Sequence, residues 1–372
     1  MRVQPLTDLL YLGLRTAHAL GRRPRPAANF APSAVRTLLA VSTTALGDTA
    51  MSTAGIHALR ARYPEARLVA LLHPATGRLL DGHPDIDKRI FYSGRYGDFA
   101  RTLRALRRLR PDAAAVFHGN EPQMTPLLSL AGIPFIFKLP NTSRNRFLLS
   151  NAEPRLTWQD LGHGLRQRLA VAHLAGANSD DLRMHLPVHD AAREAARTVL
   201  TAHGLAKDTP LVGLQTGASE PHRTWPERHY IALGRTLAAS RPGLRLMLTG
   251  SLAEAARCRR IAEGIGEAAV DLAGTLGLDR LPALIERLDI LVTGDTGPMH
   301  VAIAVGTPTV CLFGASDPAG AGPLYDLDRH TVLTAPWDAT ARTLPEPMSR
   351  IGVDAVAAAV LARLDRRAAT GT

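Results

Sequence analysis

The segment from Asp289 to Phe313, DILVTGDTGPMHVAIAVGTPTVCLF, constrains the fold more than any other stretch. Its apolar run Ile290 to Val292 reads as a buried strand. The run stops at Gly294-Asp295-Thr296-Gly297, residues that accept unusual backbone angles in turns. A short helix starts near Pro298, which suits a first helical turn because its missing N–H is not needed there. Gly306 ends the helix, and Thr309 to Phe313 is the next buried strand. The turn presents the Asp295 carboxylate, the His300 imidazole and the free N–H groups of a helix N-terminus. Such a terminus attracts anions, phosphate above all. The competing reading is a plain strand–helix turn in which Asp295 caps the helix.

The same rhythm runs along the chain. In the first half, strands are expected at Thr37 to Ser42, Arg67 to Leu72, Arg89 to Tyr92, Ala113 to Phe117 and Ile133 to Phe137. A turn at Gly47-Asp48-Thr49 leads into a helix from Ala50 to Arg62, and further helices fit Phe99 to Leu109, Pro122 to Leu130 and Leu161 to Leu174. Residues 138 to 160 read as a long loop. After a break at Met184 to Asp190, a second run has strands at Leu211 to Gln215, Leu244 to Thr249, Ile290 to Val292 and Thr309 to Phe313. Alternating strands and helices argue for parallel sheets covered on both faces. The 372 residues exceed what one core usually supports, ~250–300. The expectation is an α/β chain of two Rossmann-like domains facing a central cleft. Residues 1–35 form an N-terminal extension, 36–185 the first domain, 195–353 the second, and 354–372 a C-terminal helix.

Composition excludes several function classes. The net charge is +11, carried almost wholly by arginine, which favours bidentate contact with phosphate and carboxylate. Aromatics are only 5%, with no interleaving of basic and aromatic residues, so nucleic acid is not an expected partner. Cys258 and Cys311 are the only cysteines, and the second lies in a strand pattern, so no disulfide framework is expected and the compartment is cytoplasmic. No apolar run reaches a membrane span. The first residues carry Leu9, Leu10, Tyr11, Leu12, Leu14 and Leu20, followed by Arg22, Arg23 and Arg25. They fit either an amphipathic helix in peripheral contact with an anionic membrane or a helix packed on the protein body.

Three more motifs lie at strand ends, where open α/β sheets bind ligands. Thr216-Gly217-Ala218-Ser219 follows a strand and leads to Arg223, just before a helix that Thr224 and Glu227 are spaced to cap. Arg223 can neutralise a diphosphate there; a capped helix with a surface arginine is the alternative. Gly250-Ser251 with Glu254 one turn later places a carboxylate where it can bond a ribose hydroxyl, or simply an exposed helix glutamate. Asp48 ends the first strand and can serve as a general base or as a helix N-cap. The Asp-x-Asp triplets at Asp85–Asp87 and Asp326–Asp328 read as loop residues, and no spacing matches a zinc site.

In their order, these motifs strongly resemble glycosyltransferase family 9, the lipopolysaccharide heptosyltransferases. The resemblance runs from Gly47-Asp48 through Gly217 to Glu227, Leu248-Thr249-Gly250 with Glu254, Asp271 to Thr275, Asp295 to His300 and Gly306-Thr307-Pro308, to Phe313-Gly314 with Asp317-Pro318. It implies a GT-B fold and an inverting, metal-independent transfer of a sugar, typically heptose, from a nucleotide-diphosphate sugar such as ADP-heptose. The acceptor would be a glycan or glycolipid hydroxyl, acidic if the basic face of the Phe99 to Leu109 helix steers it. No cofactor is implied beyond the donor. By position, Asp48 takes the role of base, Glu254 that of nucleotide contact, and Asp295, Thr296, Gly297 and His300 the donor turn. Thr216, Gly217, Ser219, Arg223 and Gly250 complete the donor site. The family has lysine where Arg223 stands, and its usual proline after Gly-Asp is Ala54 here.

Two other readings share this sequence: an epimerase or hydrolase of nucleotide sugars, and a non-catalytic nucleotide-sugar binding protein. Asp48→Asn keeps size and capping ability, so it is expected to leave stability and donor affinity near native while lowering kcat about 10²–10⁴-fold.

Overall fold

The computed structural model describes residues 4–21, 24–205, 208–314, 316–335 and 346–370. Arg22 and Arg23 of the N-terminal basic run lie outside them. The chain divides into two compact units, Met1–His185 and Leu186–Thr372.

The first unit contains α1 (Gln4–Ala19), β1 (Thr37–Ser42), α2 (Leu46–Arg62), β2 (Arg67–Leu72), β3 (Lys88–Phe91) and α3 (Tyr96–Leu109). Then follow β4 (Ala113–His118), α4 (Met124–Leu130), β5 (Phe135–Lys138), α5 (Trp158–Leu161) and α6 (Gly164–Leu174). Its strands pair in parallel, in the order β3-β2-β1-β4-β5. The central strands are near-continuous apolar runs, which suits strands covered on both faces. Leu39, Val41, Val69, Leu71, Ala114 and Val116 form one core with Leu106 of α3 and Leu127 of α4.

Helix α2 starts at Leu46, earlier than the sequence pattern indicates. Gly47, Asp48 and Thr49 therefore belong to its first turn and do not form a separate turn. Ala45 takes the N-cap position without a side-chain bond, so Asp48 is not the cap. An aspartate in a first turn is still favoured by the helix dipole.

The second unit contains α7 (Asp190–Ala202), β6 (Leu211–Gln215), α8 (Glu227–Ser240), β7 (Arg245–Thr249), α9 (Ala255–Ile265), β8 (Ala269–Asp271) and α10 (Leu281–Glu286). Then come β9 (Ile290–Gly294), α11 (Gly297–Ala304), β10 (Thr309–Phe313), α12 (Pro318–Ala321), β11 (His330–Thr334) and α13 (Val353–Thr370). The sheet is again parallel, in the order β11-β10-β9-β6-β7-β8. The two edge strands escape the sequence pattern for physical reasons. β8 has three residues, and β11 is buried only at His330 with its other positions partly or fully exposed, so neither shows a continuous apolar run. The terminal helix α13 packs on α8 within this unit, with Val356 and Val360 in the core beside Leu237 and Ile351.

Helix α1 packs against the first unit through aromatic contacts. Tyr11 and His18 meet Phe147 edge-on, and the Arg144 guanidinium lies 4.6 Å from the centre of the Tyr11 ring. Leu14 is buried, whereas Leu9, Leu12 and Leu20 face outward.

Candidate active site

Each sheet reverses its direction of growth once. In the first unit the chain proceeds from β1 outward to β2 and β3, then returns to the other side of β1 with β4 and β5. In the second it runs from β6 to β7 and β8, then back to β9, β10 and β11. Crevices at the carboxyl ends of the strands, at such reversals, are where open α/β sheets bind ligands. The candidate residues gather at both.

At the β1/β4 reversal lies Asp48. Its Oδ1 accepts a 2.6 Å bond from Nη2 of Arg168, and its Oδ2 accepts a 2.8 Å bond from the Thr44 hydroxyl. His118, the last residue of β4, has Nδ1 2.8 Å from that hydroxyl oxygen and 3.6 Å from Asp48 Oδ2. The hydroxyl has one hydrogen. While it donates to Asp48, Nδ1 of His118 must carry a proton and donate to Thr44. Burial pushes the His118 imidazole down to about 4, despite the opposing pull of Asp48. His118 is thus neutral at physiological pH and a weaker base than its position suggests.

Arg168 lies on α6 and is 2% exposed. Burial acts against its charge and Asp48 acts for it. The approach of α6 to α2 depends on Gly55. A Cβ there would sit 2.3 Å from the Phe117 ring and 3.0 Å from the Arg168 carbonyl oxygen. Sequence reading missed two of the groups around Asp48, His118 and Arg168. His118 could have been found by applying the strand-end rule to the Ala113 strand. Arg168 had no local signal, since 120 residues separate it from Asp48.

At the β6/β9 reversal, Nη1 of Arg223 stands 3.2 Å from Oδ2 of Asp295. The arginine side chain is 33% exposed, and its Nε is buried without a hydrogen-bond partner. Helix α11 begins immediately after, with Thr296 as N-cap, Gly297 first and Pro298 second. Asp295 makes an ion pair and does not cap this helix. The Thr296 hydroxyl lies 3.1 Å from that of Thr293, and His300 is buried within α11. The predicted cap of α8 is absent. Pro226 holds the N-cap position, Thr224 bonds back to the Glu220 carbonyl, and Glu227 pairs with Arg260.

One strand further along, Glu254 curls back over its own turn. Its Oε2 accepts bonds from the Ser251 N–H at 2.6 Å and the Ser251 hydroxyl at 2.8 Å. The same carboxylate covers Gly217, where a Cβ would fall 1.3 Å from Oε1. Glu254 is therefore fixed against the Gly217 turn, and Gly250 lies against its Cβ. The Thr216 hydroxyl faces Cys258 Sγ at 3.2 Å, inside the core, and Ser219 is exposed. The second-unit candidates thus lie at the ends of three adjacent strands, β9, β6 and β7.

The carboxylates of the first Asp-x-Asp triplet are engaged within the protein. Asp85 bonds His57 at 2.8 Å; Asp87 bonds Arg60 and the Leu68 N–H, each at 2.6 Å. Among the described residues no group of three His, Cys, Asp or Glu side chains could hold a metal. No described helix is long and apolar enough to cross a membrane.

The profile of glycosyltransferase family 9 (heptosyltransferase) matches residues 127–348, more than half of the chain. The protein belongs to glycosyltransferase family 9. Lipopolysaccharide heptosyltransferase 2 of Salmonella typhimurium is 28% identical over 307 residues, which cover 77% of this chain and 85% of that one. Among solved structures, the family 9 glycosyl transferase of Veillonella parvula superposes with a TM-score of 0.75 at 19% identity, covering 89% and 97% of the two chains. The ADP-heptose lipopolysaccharide heptosyltransferase II of Escherichia coli gives 0.74 at 24% identity, covering 89% and 99%. The fold is GT-B, and the family 9 chain is an enzyme of glycosyl transfer. The epimerase and binding-module readings give way to that membership.

Proposed function

We propose that this enzyme transfers heptose, with inversion, from ADP-heptose to a hydroxyl of a growing lipopolysaccharide core. The observation that carries the reading is the Arg223–Asp295 pair at the start of α11, whose arginine side chain stays 33% exposed. A diphosphate oxygen is a fitting acceptor for the exposed part of that guanidinium. The names of the relatives support ADP-heptose as donor and lipopolysaccharide as the glycan.

In this mechanism Asp48 removes the acceptor hydroxyl proton as its oxygen attacks the anomeric carbon. The bond from that carbon to the diphosphate oxygen breaks, and the electron pair leaves with the nucleoside diphosphate. Arg223, the Gly217–Ser219 turn and the N–H groups opening α11 stabilise the developing charge. A preorganised donor of this kind is worth ~3–4 kcal/mol, and a general base about 10²–10⁴-fold. Glu254 receives the ribose. Arg104 and Arg108, exposed on α3, favour an acidic acceptor. The outward leucines of α1, close to Arg15 and Arg25, support peripheral contact with an anionic membrane.

Turnover measured across a panel of nucleotide sugars, with and without EDTA, tests the reading. ADP-heptose should be the preferred donor and chelation should not abolish transfer. Preference for a uridine sugar would refute the donor. Loss of turnover in EDTA, restored by a divalent ion, would refute the metal-free mechanism.

A further inference from the structure

Of the two described tryptophans, Trp225 is buried in the second unit, and Trp158 of the first is 50% exposed. A single exposed aromatic side chain is unremarkable on most surfaces. This one lies beside His118, whose Nδ1 in turn neighbours Asp48. Its helix, α5, opens with a reciprocal cap: the Thr157 N–H and hydroxyl both donate to Asp160 Oδ2 at 2.6 Å. The Asp160 carboxyl is held below its ordinary range by those bonds. The chain then turns at Gly162, whose carbonyl accepts from the Gln167 side chain at 2.8 Å, and continues into α6 with Arg168. The exposed indole and the buried clamp of Asp48 therefore belong to one short, well-bonded segment. His118 links them from the other side. Its ring centre is 6.1 Å from the indole and tilted by 36°, while its Nδ1 is 3.6 Å from Asp48 Oδ2.

We propose that Trp158 is the platform on which the acceptor sugar ring rests, its indole face against the C–H face of the ring, with one ring hydroxyl directed to Asp48. A pyranose has an apolar face of axial C–H groups and a rim of hydroxyls. It needs an aromatic wall and a few directed polar groups, the usual composition of a small-molecule site. An indole provides a large rigid contact at little cost in rotamer entropy. The assignment rests on Asp48 as the base, because it places the acceptor there.

The test is calorimetric titration of lipopolysaccharide core oligosaccharides, truncated at successive sugars, into wild type, Trp158→Ala and Trp158→Phe. Donor dissociation constants, melting temperatures and steady-state constants are measured alongside. Trp158→Ala should weaken acceptor binding and raise acceptor KM about tenfold or more, the scale of a buried aromatic contact. Trp158→Phe should recover most of the loss. Donor affinity and melting temperature should stay at wild-type values. Unchanged acceptor affinity in Trp158→Ala would overturn the platform while leaving heptosyl transfer intact. So would a joint fall in melting temperature and donor affinity, which marks a structural role. A wild type that binds none of these oligosaccharides yet transfers to another acceptor would overturn the sugar platform alone.

Discussion

The two sheet reversals carry the same pair of groups in opposite settings. In the first unit, the carboxylate of Asp48 faces an arginine that is 2% exposed; in the second, Asp295 faces one that is 33% exposed. Arg168 is walled in by α2, β4 and its own helix, so its charge is spent on the carboxylate. Arg223 sits in a short 3-10 turn before α8 with its guanidinium partly open to solvent. Burial decides the role. A sealed arginine is committed to the carboxylate it touches, whereas a partly open one keeps a face toward solvent.

The largest effect expected from breaking this contrast is at Asp48. Asp48→Asn should lower kcat about 10²–10⁴-fold, the loss typical of a general base. The sequence alone points to near-native stability for this variant, and the structure revises that. Asparagine leaves the buried Arg168 without its counter-charge, and breaking a buried pair costs about 3–5 kcal/mol. The melting temperature should therefore fall too. Asp48→Asn with Arg168→Met removes both charges and should regain part of the stability but none of the activity. Equal stability of the single and double variants would show that the pair is not coupled.

The exposed pair should behave differently. Arg223→Ala should weaken both ADP and intact donor by roughly tenfold or more, the cost of one charge-assisted bond. Its effect on melting temperature should be small, since partly exposed ion pairs contribute ~0–1 kcal/mol. A large loss of stability with unchanged ADP affinity, measured by calorimetry, would remove the distinction between the two arginines.

A further expected effect is on acid stability, and it spans both units. His118 and His330 are each pushed down to about 4, with burial the main cause. Each bonds a threonine hydroxyl through Nδ1 at 2.8 Å. Since the unfolded value is about 6.5, the unfolded chain binds protons first as pH falls. Stability is full above about 6.5 and declines from there toward 4. Melting curves between pH 7.5 and 4.5 should show this decline, and His330→Gln should reduce it. A flat profile would show that these rings are protonated without penalty in the folded state.

The contrast also explains what could be read from the sequence. The second-unit site is built from short segments at the ends of their own strands, so Arg223, Glu254 and Asp295 each came with a local motif. Their meeting required only that β9, β6 and β7 be neighbours, a common outcome for this fold class. Asp48 was visible by the same rule, but Arg168 reaches it from a helix whose sequence, GLRQRLAVAHL, looks like any other. What brings it there is the close contact at Gly55, and a glycine in a helix gives no warning of which backbone it admits. The capping spacing at Thr224 and Glu227 misled for the opposite reason. Pro226 occupies the cap, and Glu227 is drawn away by Arg260.

The separation of Asp48 from Arg168 has a consequence for the order of synthesis. A chain emerging from the ribosome presents the base early, but its guanidinium partner arrives 120 residues later. Domains fold as units, N-terminal first. Until α6 has emerged and closed onto α2, the Asp48 carboxylate has its local Thr44 bond but not its arginine, so the buried ion pair is completed late in the synthesis of the first unit.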